Sequence, residues 1–183
     1  MRALLTALAL LTPASGLARP QTGTLPWPDR QPAARGEPLF RATMIRAHNQ
    51  ARRRYNVGPL AWDERLARDA KAYAALLART GRFEHDAQIG RRPRQGENLW
   101  MGTRTAYSYA EMIGLLVKER RYFRPGRFPA VSRTGNWTDV GHYTQIVWPT
   151  SQRVGCATAS NRANDYLVCR YLPAGNVVGT VLR

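Results

Sequence analysis

The two cysteines of this chain, Cys156 and Cys169, lie in two apolar segments separated by the polar run Asn161-Arg162-Ala163-Asn164, and that spacing restricts the local fold sharply. Residues 154–159 and 166–172 are strand formers, and the asparagines between them are turn residues, so the three parts read as an antiparallel hairpin. With Ser160 facing Asp165 across the loop, Cys156 falls opposite Cys169. Directly opposed residues on antiparallel strands have Cα atoms roughly 4.5 to 5.5 Å apart, within reach of a disulfide. The pair is then either a bridge, contributing about 3 kcal/mol for so short a loop, or two reduced, buried thiols. An oxidising compartment selects the bridge. Just upstream, Tyr143, Gln145 and Val147 alternate with His142, Thr144, Ile146 and Trp148. That period of two predicts a strand with His142 at its start.

The N-terminus bears on the compartment. Arg2 precedes an apolar run at 3–11 that is too short to span a bilayer, followed by small residues up to Ala18. This is the pattern of a secretory signal, with cleavage expected after Ala18 and a secreted or periplasmic product. Residues 19–36 carry Pro20, Pro26, Pro28 and Pro32 and little that could build a core, as in an extended leader. Residues 37–183 have the size of one domain. No transmembrane segment is expected, and a monomer is.

A formal charge of +16 invites a nucleic-acid reading. Of 28 basic residues, however, only Lys71 and Lys118 are lysine, a bias that base composition produces as readily as selection for phosphate contacts. The arginines are scattered, with short clusters at 52–54, 91–94 and 120–127, and no nucleic-acid module accompanies them, so no specific nucleic-acid partner is expected. For an exported protein the anionic partners at hand are phospholipid, glycolipid and acidic envelope polymers.

Phe40, Met44, Ala47 and Ala51 recur at helical spacing and predict a helix over 38–55. Asp63 is a fitting N-cap for a second helix with an alanine-rich stripe, stopped at Gly81. Residues 87–95 read as loop. Ser108 and Glu111 have capping-box spacing and open a third helix that must end before Pro125. In its expected buried stripe of Met112, Leu115, Leu116, Tyr122 and Phe123 sits Glu119. A carboxylate there needs a cation, hydrogen-bond donors or a metal, because burying it unpaired costs several kcal/mol. A salt bridge to an arginine and a functional role are both open. His85 falls in a loop, Glu97 in Gly96-Glu97-Asn98-Leu99-Trp100, and His48 inside the first helix beside Asn49, where a hydrogen-bonded structural histidine fits. No two of His85, Glu97, Glu119 and His142 have the spacing of a local metal or catalytic motif.

Taken in order, Ala47-His48-Asn49-Gln50-Ala51-Arg52, Leu60-Ala61-Trp62, His85, Gly96-Glu97-Asn98-Leu99, Glu119, the run 141–148, Gly155-Cys156-Ala157 and the run 171–179 resemble the CAP superfamily, also called the SCP domain. The resemblance implies an α+β fold, a three-layer α-β-α sandwich with a small antiparallel sheet between helices. It implies a cleft gathering His85, Glu97, Glu119 and His142. There His85 and His142 would be ligands for zinc or another divalent cation, with Glu97 and Glu119 orienting them or a bound water. A hydrogen-bonded His/Glu network without metal is the alternative. The pattern departs from the family where a tryptophan one turn before the third-helix glutamate is replaced by Leu116, and where only one cysteine pair is present.

Two function classes follow. One, whose ligand class the resemblance implies, is a secreted binding module taking a lipid or sterol-like amphiphile in the cleft or an adjacent apolar groove, with Trp100, Tyr107, Tyr143 and Trp148 as the aromatic supply near the cleft. The other is a metal-assisted protease or esterase with Glu97 or Glu119 as general base. Ser132 and Ser151 lack the context of a nucleophile elbow, which favours binding. A third, weaker class is adhesion to acidic envelope components through the arginine-rich surface.

Overall fold

The structure, a computed structural model, describes residues 32–90 and 92–183. The expected signal segment and most of the leader lie outside the described residues. Of that leader, Arg35 and Gly36 are tied to the domain: Arg35 Nη2 donates to Asp165 Oδ2 at 2.9 Å and Gly36 N to the Tyr109 hydroxyl at 3.3 Å.

Three helices form where the apolar spacing places them. Helix α1, Glu37–Arg54, buries Phe40, Met44, His48, Ala51 and Arg52. After the two-residue strand β1, Ala61–Trp62, helix α2, Glu64–Thr80, starts at Asp63, whose side chain accepts from Arg65 N and Leu66 N, and ends at Gly81 with φ 69°. Strand β2 is Gly96–Thr103. Helix α3, Tyr109–Val117, opens on the Ser108/Glu111 capping box and tightens at Lys118–Tyr122 into a 3-10 turn. The expected stripe is thereby broken, leaving Leu115 and Tyr122 exposed. The short strand β3, Gly126–Arg127, pairs with the late strand β6, Val181–Leu182.

Strands β4, Arg153–Ser160, and β5, Asn164–Leu172, form the expected hairpin, with Ser160 opposite Asp165 and Cys156 opposite Cys169. The two sulfurs are bonded across a sequence separation of 13. The main sheet runs β1-β4-β5-β2, antiparallel except for the β1–β4 pair.

The strand expected at 142–148 does not form. Residues Gly141–Ile146 are a helix, α4, preceded by a 3-10 turn at Trp137–Val140. Short apolar runs are ambiguous by periodicity, and Tyr143, Ile146 and Val147 fit a helical face as well as a strand. Residues 143 to 148 are all buried, so the run has no solvent face to alternate against.

Alternation along β5 divides the core. Leu167, Cys169 and Tyr171 join α1, α3 and α4, while Tyr166 and Val168 join Ala70, Tyr73, Ala74 and Leu77 of α2. The result is the α-β-α sandwich, one helix on one face and three on the other. The α2 layer is unusually close. A Cβ at Gly155 of β4 would stand 2.5 Å from Asp63 O, 2.6 Å from the Leu66 carbonyl carbon, and against Ala67 N. Only glycine allows that approach.

Arg52, the first of the basic run 52–54, is fully buried and serves the fold. Its guanidinium donates to the carbonyls of Gly58 (2.5 Å), Ile146 (3.0 Å), Trp148 (2.9 Å) and Ser151 (3.0 Å), tying the end of α1 to the exit of α4. Desolvation lowers its pKa to about 10, so it stays charged at neutral pH.

Candidate functional site

His85 stands in the loop after α2, and its Nδ1 lies 2.5 Å from Glu97 Oε1. An ionised carboxylate only accepts, so Nδ1 carries the proton, and in the neutral imidazole the lone pair is at Nε2. Glu97, the second residue of β2, faces Arg170 of β5 in register. Arg170 Nη1 is 2.9 Å from Glu97 Oε2, an ion pair without hydrogen-bond alignment, and Nη2 donates to Asp86 Oδ2 at 2.8 Å. The Arg170 side chain is fully enclosed, with Cζ 5.0 Å from the centre of the Tyr73 ring. Asp86 N donates to Glu97 Oε1 at 3.1 Å, and the Tyr73 hydroxyl donates to Glu84 O at 2.6 Å, so the His85 loop is fastened on both sides. Burial, reinforced by Glu97 and Asp86, raises the Tyr73 phenol to about 12 and keeps its proton in place.

His142 sits in the first turn of α4. Its Nδ1 donates to Glu119 Oε1 at 2.5 Å, while Glu119 Oε2 accepts from the backbone N–H of His142 at 2.9 Å and of Tyr143 at 3.1 Å. The carboxylate that interrupts an apolar segment is thus explained. It caps α4 and orients His142, and its partner is not an arginine.

Behind His142 runs a buried chain of hydrogen bonds. Asn98 Nδ2 donates to His142 O (3.0 Å) and to the Tyr171 hydroxyl oxygen (3.1 Å), which lies 2.7 Å from His48 Nε2. His48 Nδ1 donates to Met44 O at 2.8 Å, so its Nε2 accepts the Tyr171 proton. Full burial lowers the His48 pKa to about 4 and pushes the Tyr171 phenol well above its ordinary range. The expected structural role of His48 is therefore seen in its geometry.

His85, Glu97, Asn98, Trp137, Gly141, His142 and Asn176 line one cleft of about 280 Å³. Three of the four expected residues reach its wall, and Glu119 stands one hydrogen bond behind His142. No three of these four bring ligand atoms within 4.8 Å of one another. Among the described residues that convergence occurs only for His48, Cys156 and Cys169, whose sulfurs are bonded and whose imidazole is engaged at both nitrogens. What the geometry gives at this cleft is two imidazoles, each oriented by a carboxylate at its Nδ1.

None of Trp100, Tyr107, Tyr143 and Trp148, the aromatics expected near the cleft, is among the residues that line it. Trp100, Tyr143 and Trp148 are core, and Tyr107 packs edge-on against Trp100. The aromatic at the cleft is Trp137, 41% exposed, with its ring against Gly141. Sequence reasoning also missed Arg170, Asn98 and Asn176. Arg170 carried the same signal as Glu119, a charge inside an apolar run, between Cys169 and Tyr171. Asn176 bridges Thr144 and Gly141 O, and its φ of 55° bends the chain past the cleft.

The sequence matches the model of the CAP, cysteine-rich secretory protein, family over residues 45–171. It is 36% identical over 136 residues to the pathogenesis-related protein PR-1 type of Sambucus nigra, covering 74% of this chain and 77% of that protein. Against pathogenesis-related protein 1C of Nicotiana tabacum it is 38% identical over 135 residues, 73% of this chain and 74% of that one. Secreted protein RBT4 of Candida albicans is 32% identical over 144 residues, 77% of this chain but 37% of that protein. Among solved structures, NaASP2 with Zn2+ superposes with a TM-score of 0.65 at 22% identity, covering 80% of this chain and 85% of that one. BmVAL-1 superposes with a TM-score of 0.66 at 22% identity, covering 84% and 85%. At that identity the structures speak for the fold alone.

Proposed function

This chain belongs to the CAP, or cysteine-rich secretory protein, family, and from that premise we propose that it is an exported binding module. Its cleft holds a divalent cation between His85 and His142 and takes the polar head of a lipid or sterol-like amphiphile. One observation carries this reading: two histidines line the same cleft, and each has Nδ1 engaged by a carboxylate at 2.5 Å, leaving both Nε2 atoms as donors. Zinc suits imidazole donors, and a structural neighbour was solved with Zn2+. The export reading rests on the N-terminal signal pattern and agrees with the name of the Candida albicans relative, a secreted protein.

The cleft's size limits its occupant. At about 280 Å³ it is smaller than the roughly 300–1,000 Å³ of pockets that enclose drug-sized ligands, so it seats a head group rather than a whole lipid. Trp137, Val177 and Val178, exposed apolar residues in or next to the segments lining the cleft, are where the body of an amphiphile would lie.

Hydrolysis is the less favoured reading, because both carboxylates are committed. Glu97 is held by His85, Asp86 N and Arg170, and Glu119 by His142 and two backbone N–H groups. Neither offers an unengaged general base. Titration with Zn2+ followed by native mass spectrometry in the presence of fatty acids, sterols and phospholipids tests the proposal. One ion per chain is expected, lost in His85→Ala and His142→Ala, together with a retained lipid. Unchanged zinc binding in both variants, or no retained lipid in any class, overturns it.

A further inference from the structure

One buried side chain meets three of the segments that carry the cleft. Gln145, 2% exposed, lies on α4 about one turn beyond His142. Its carboxamide fills a slot between two stretches of main chain that carry no side chain at that point. A Cβ at Gly96 would collide with Oε1 and stand 2.8 Å from Cδ, and a Cβ at Gly175 would stand 2.8 Å from Nε2 and 2.9 Å from Oε1. The amide is fastened there as well. Oε1 accepts from Gly175 N at 2.9 Å, and Nε2 donates to Ser151 Oγ at 3.2 Å, whose own proton goes to Pro173 O at 2.8 Å.

Each side of this slot is next in the chain to a residue of the cleft. Gly96 is followed by Glu97 on β2, and Gly175 is followed by Asn176, while Gln145 stands on the helix of His142. All three of these followers and leaders line the cleft, whereas Gln145 does not. Protein interiors are packed closely enough that one methyl group more or less is felt, so an amide between two main chains sets their separation. An apolar side chain of the same length would fill the slot but would leave Gly175 N and the Ser151 hydroxyl without these partners. The carboxamide therefore both spaces and tethers.

We propose that Gln145 is a positioning residue whose carboxamide sets the width of the cleft, holding β2 at Glu97, α4 at His142 and the following loop at Asn176 at fixed separations. The spacing belongs to the chain and holds for any occupant. Only the zinc measurement below rests on the reading of His85 and His142 as ligands.

The test is a set of crystal structures of the full chain without metal, read as the Cα separations among Glu97, His142 and Asn176. Zinc affinity is measured alongside, well below each variant's unfolding midpoint. Gln145→Ala empties the slot and is expected to shorten the Glu97–His142 separation by more than about 0.5 Å, the tolerance of a preorganised site. Gly96→Ala overfills the slot and is expected to lengthen the same separation. In the double variant Gly96→Ala/Gln145→Ala a methyl stands where the amide was, and the separation returns toward that of the parent chain. Gln145→Met keeps the filling but loses the tether, so Glu97 and His142 stay in place while Asn176 moves. Zinc affinity is expected to fall about 10-fold in each of Gln145→Ala and Gly96→Ala, and to recover in the double variant. The control Val168→Ala removes buried volume on the α2 side of the sheet, and is expected to cost stability while leaving separations and zinc affinity unchanged. Unchanged separations in Gln145→Ala, or equal changes in the control, overturn the proposal. Should Gly96→Ala not fold, the contrast between Gln145→Ala and Gln145→Met decides it. Zinc bound equally well without His85 and His142 overturns their reading as ligands, and the metal-free structures still decide the role of Gln145.

Discussion

The two walls of the cleft solve one problem with different materials. Each presents an imidazole whose Nδ1 is held by a glutamate at 2.5 Å. On the His85 wall the glutamate is held by a charge, the enclosed Arg170, which also holds the loop through Asp86. On the His142 wall it is held by backbone N–H groups of α4, and the histidine's own carbonyl rests on the neutral chain Asn98, Tyr171 and His48. An ion-paired wall is sensitive to loss of a partner, because the remaining charge has been removed from water. A wall of neutral hydrogen bonds is sensitive to protonation.

The comparison is challenged hardest at Arg170. Replacement by Met leaves Glu97 facing the interior without its cation, and destabilisation of about 3–5 kcal/mol is expected by denaturant titration. A loss below about 1 kcal/mol would show that the wall is not ion-supported.

Next comes pH. His48 is neutral in the fold with its pKa lowered to about 4 from an ordinary 6.5. Between those values the unfolded chain binds more protons than the folded one, so stability is full above pH 6.5 and falls as pH drops toward 4. The loss approaches about 3 kcal/mol. His48→Gln is expected to flatten this acid limb, and an unchanged slope in the variant would place the titration elsewhere.

A smaller effect belongs to Glu119→Gln, which keeps the shape but loses charge-assisted acceptors. About 2 kcal/mol is expected, with the amide proton resonances of His142 and Tyr143 moving upfield. The smallest is His85→Ala. Its side chain is 64% exposed, so stability should change by less than about 0.5 kcal/mol even as zinc affinity is lost. A large stability change there would contradict the division between the imidazole and its support.

The sequence disclosed these parts unevenly. The hairpin, its cysteine register and the caps of α2 and α3 were legible because each depends on near neighbours: turn residues, a capping aspartate, a capping box. Glu119 was legible as an anomaly, a charge where the pattern called for an apolar residue, although its partner was not. Arg170 stood out in the same way but was obscured by the abundance of arginine elsewhere. The segment 141–148 was misread because alternation and helical spacing coincide over so short a run, and its helix is set by Glu119, a residue far upstream. Tyr143 and Trp148 looked available to a ligand because composition does not say which aromatics the core consumes. The gathering of His85, Glu97 and His142 around one cleft depends on long-range register, and only the family resemblance anticipated it.

That register has a gauge in Gly155. With the main chain of α2 lying directly on β4 at that point, the helix is indexed like a pin in a notch: sliding it along the strand by a pleat would put the side chain of Arg153 or Ala157 where none fits. The loop bearing His85 hangs from the far end of the same helix, and Glu97 belongs to the same sheet. The distance between an imidazole and its carboxylate is therefore calibrated by a side chain that is missing, a full layer away from the chemistry it sets.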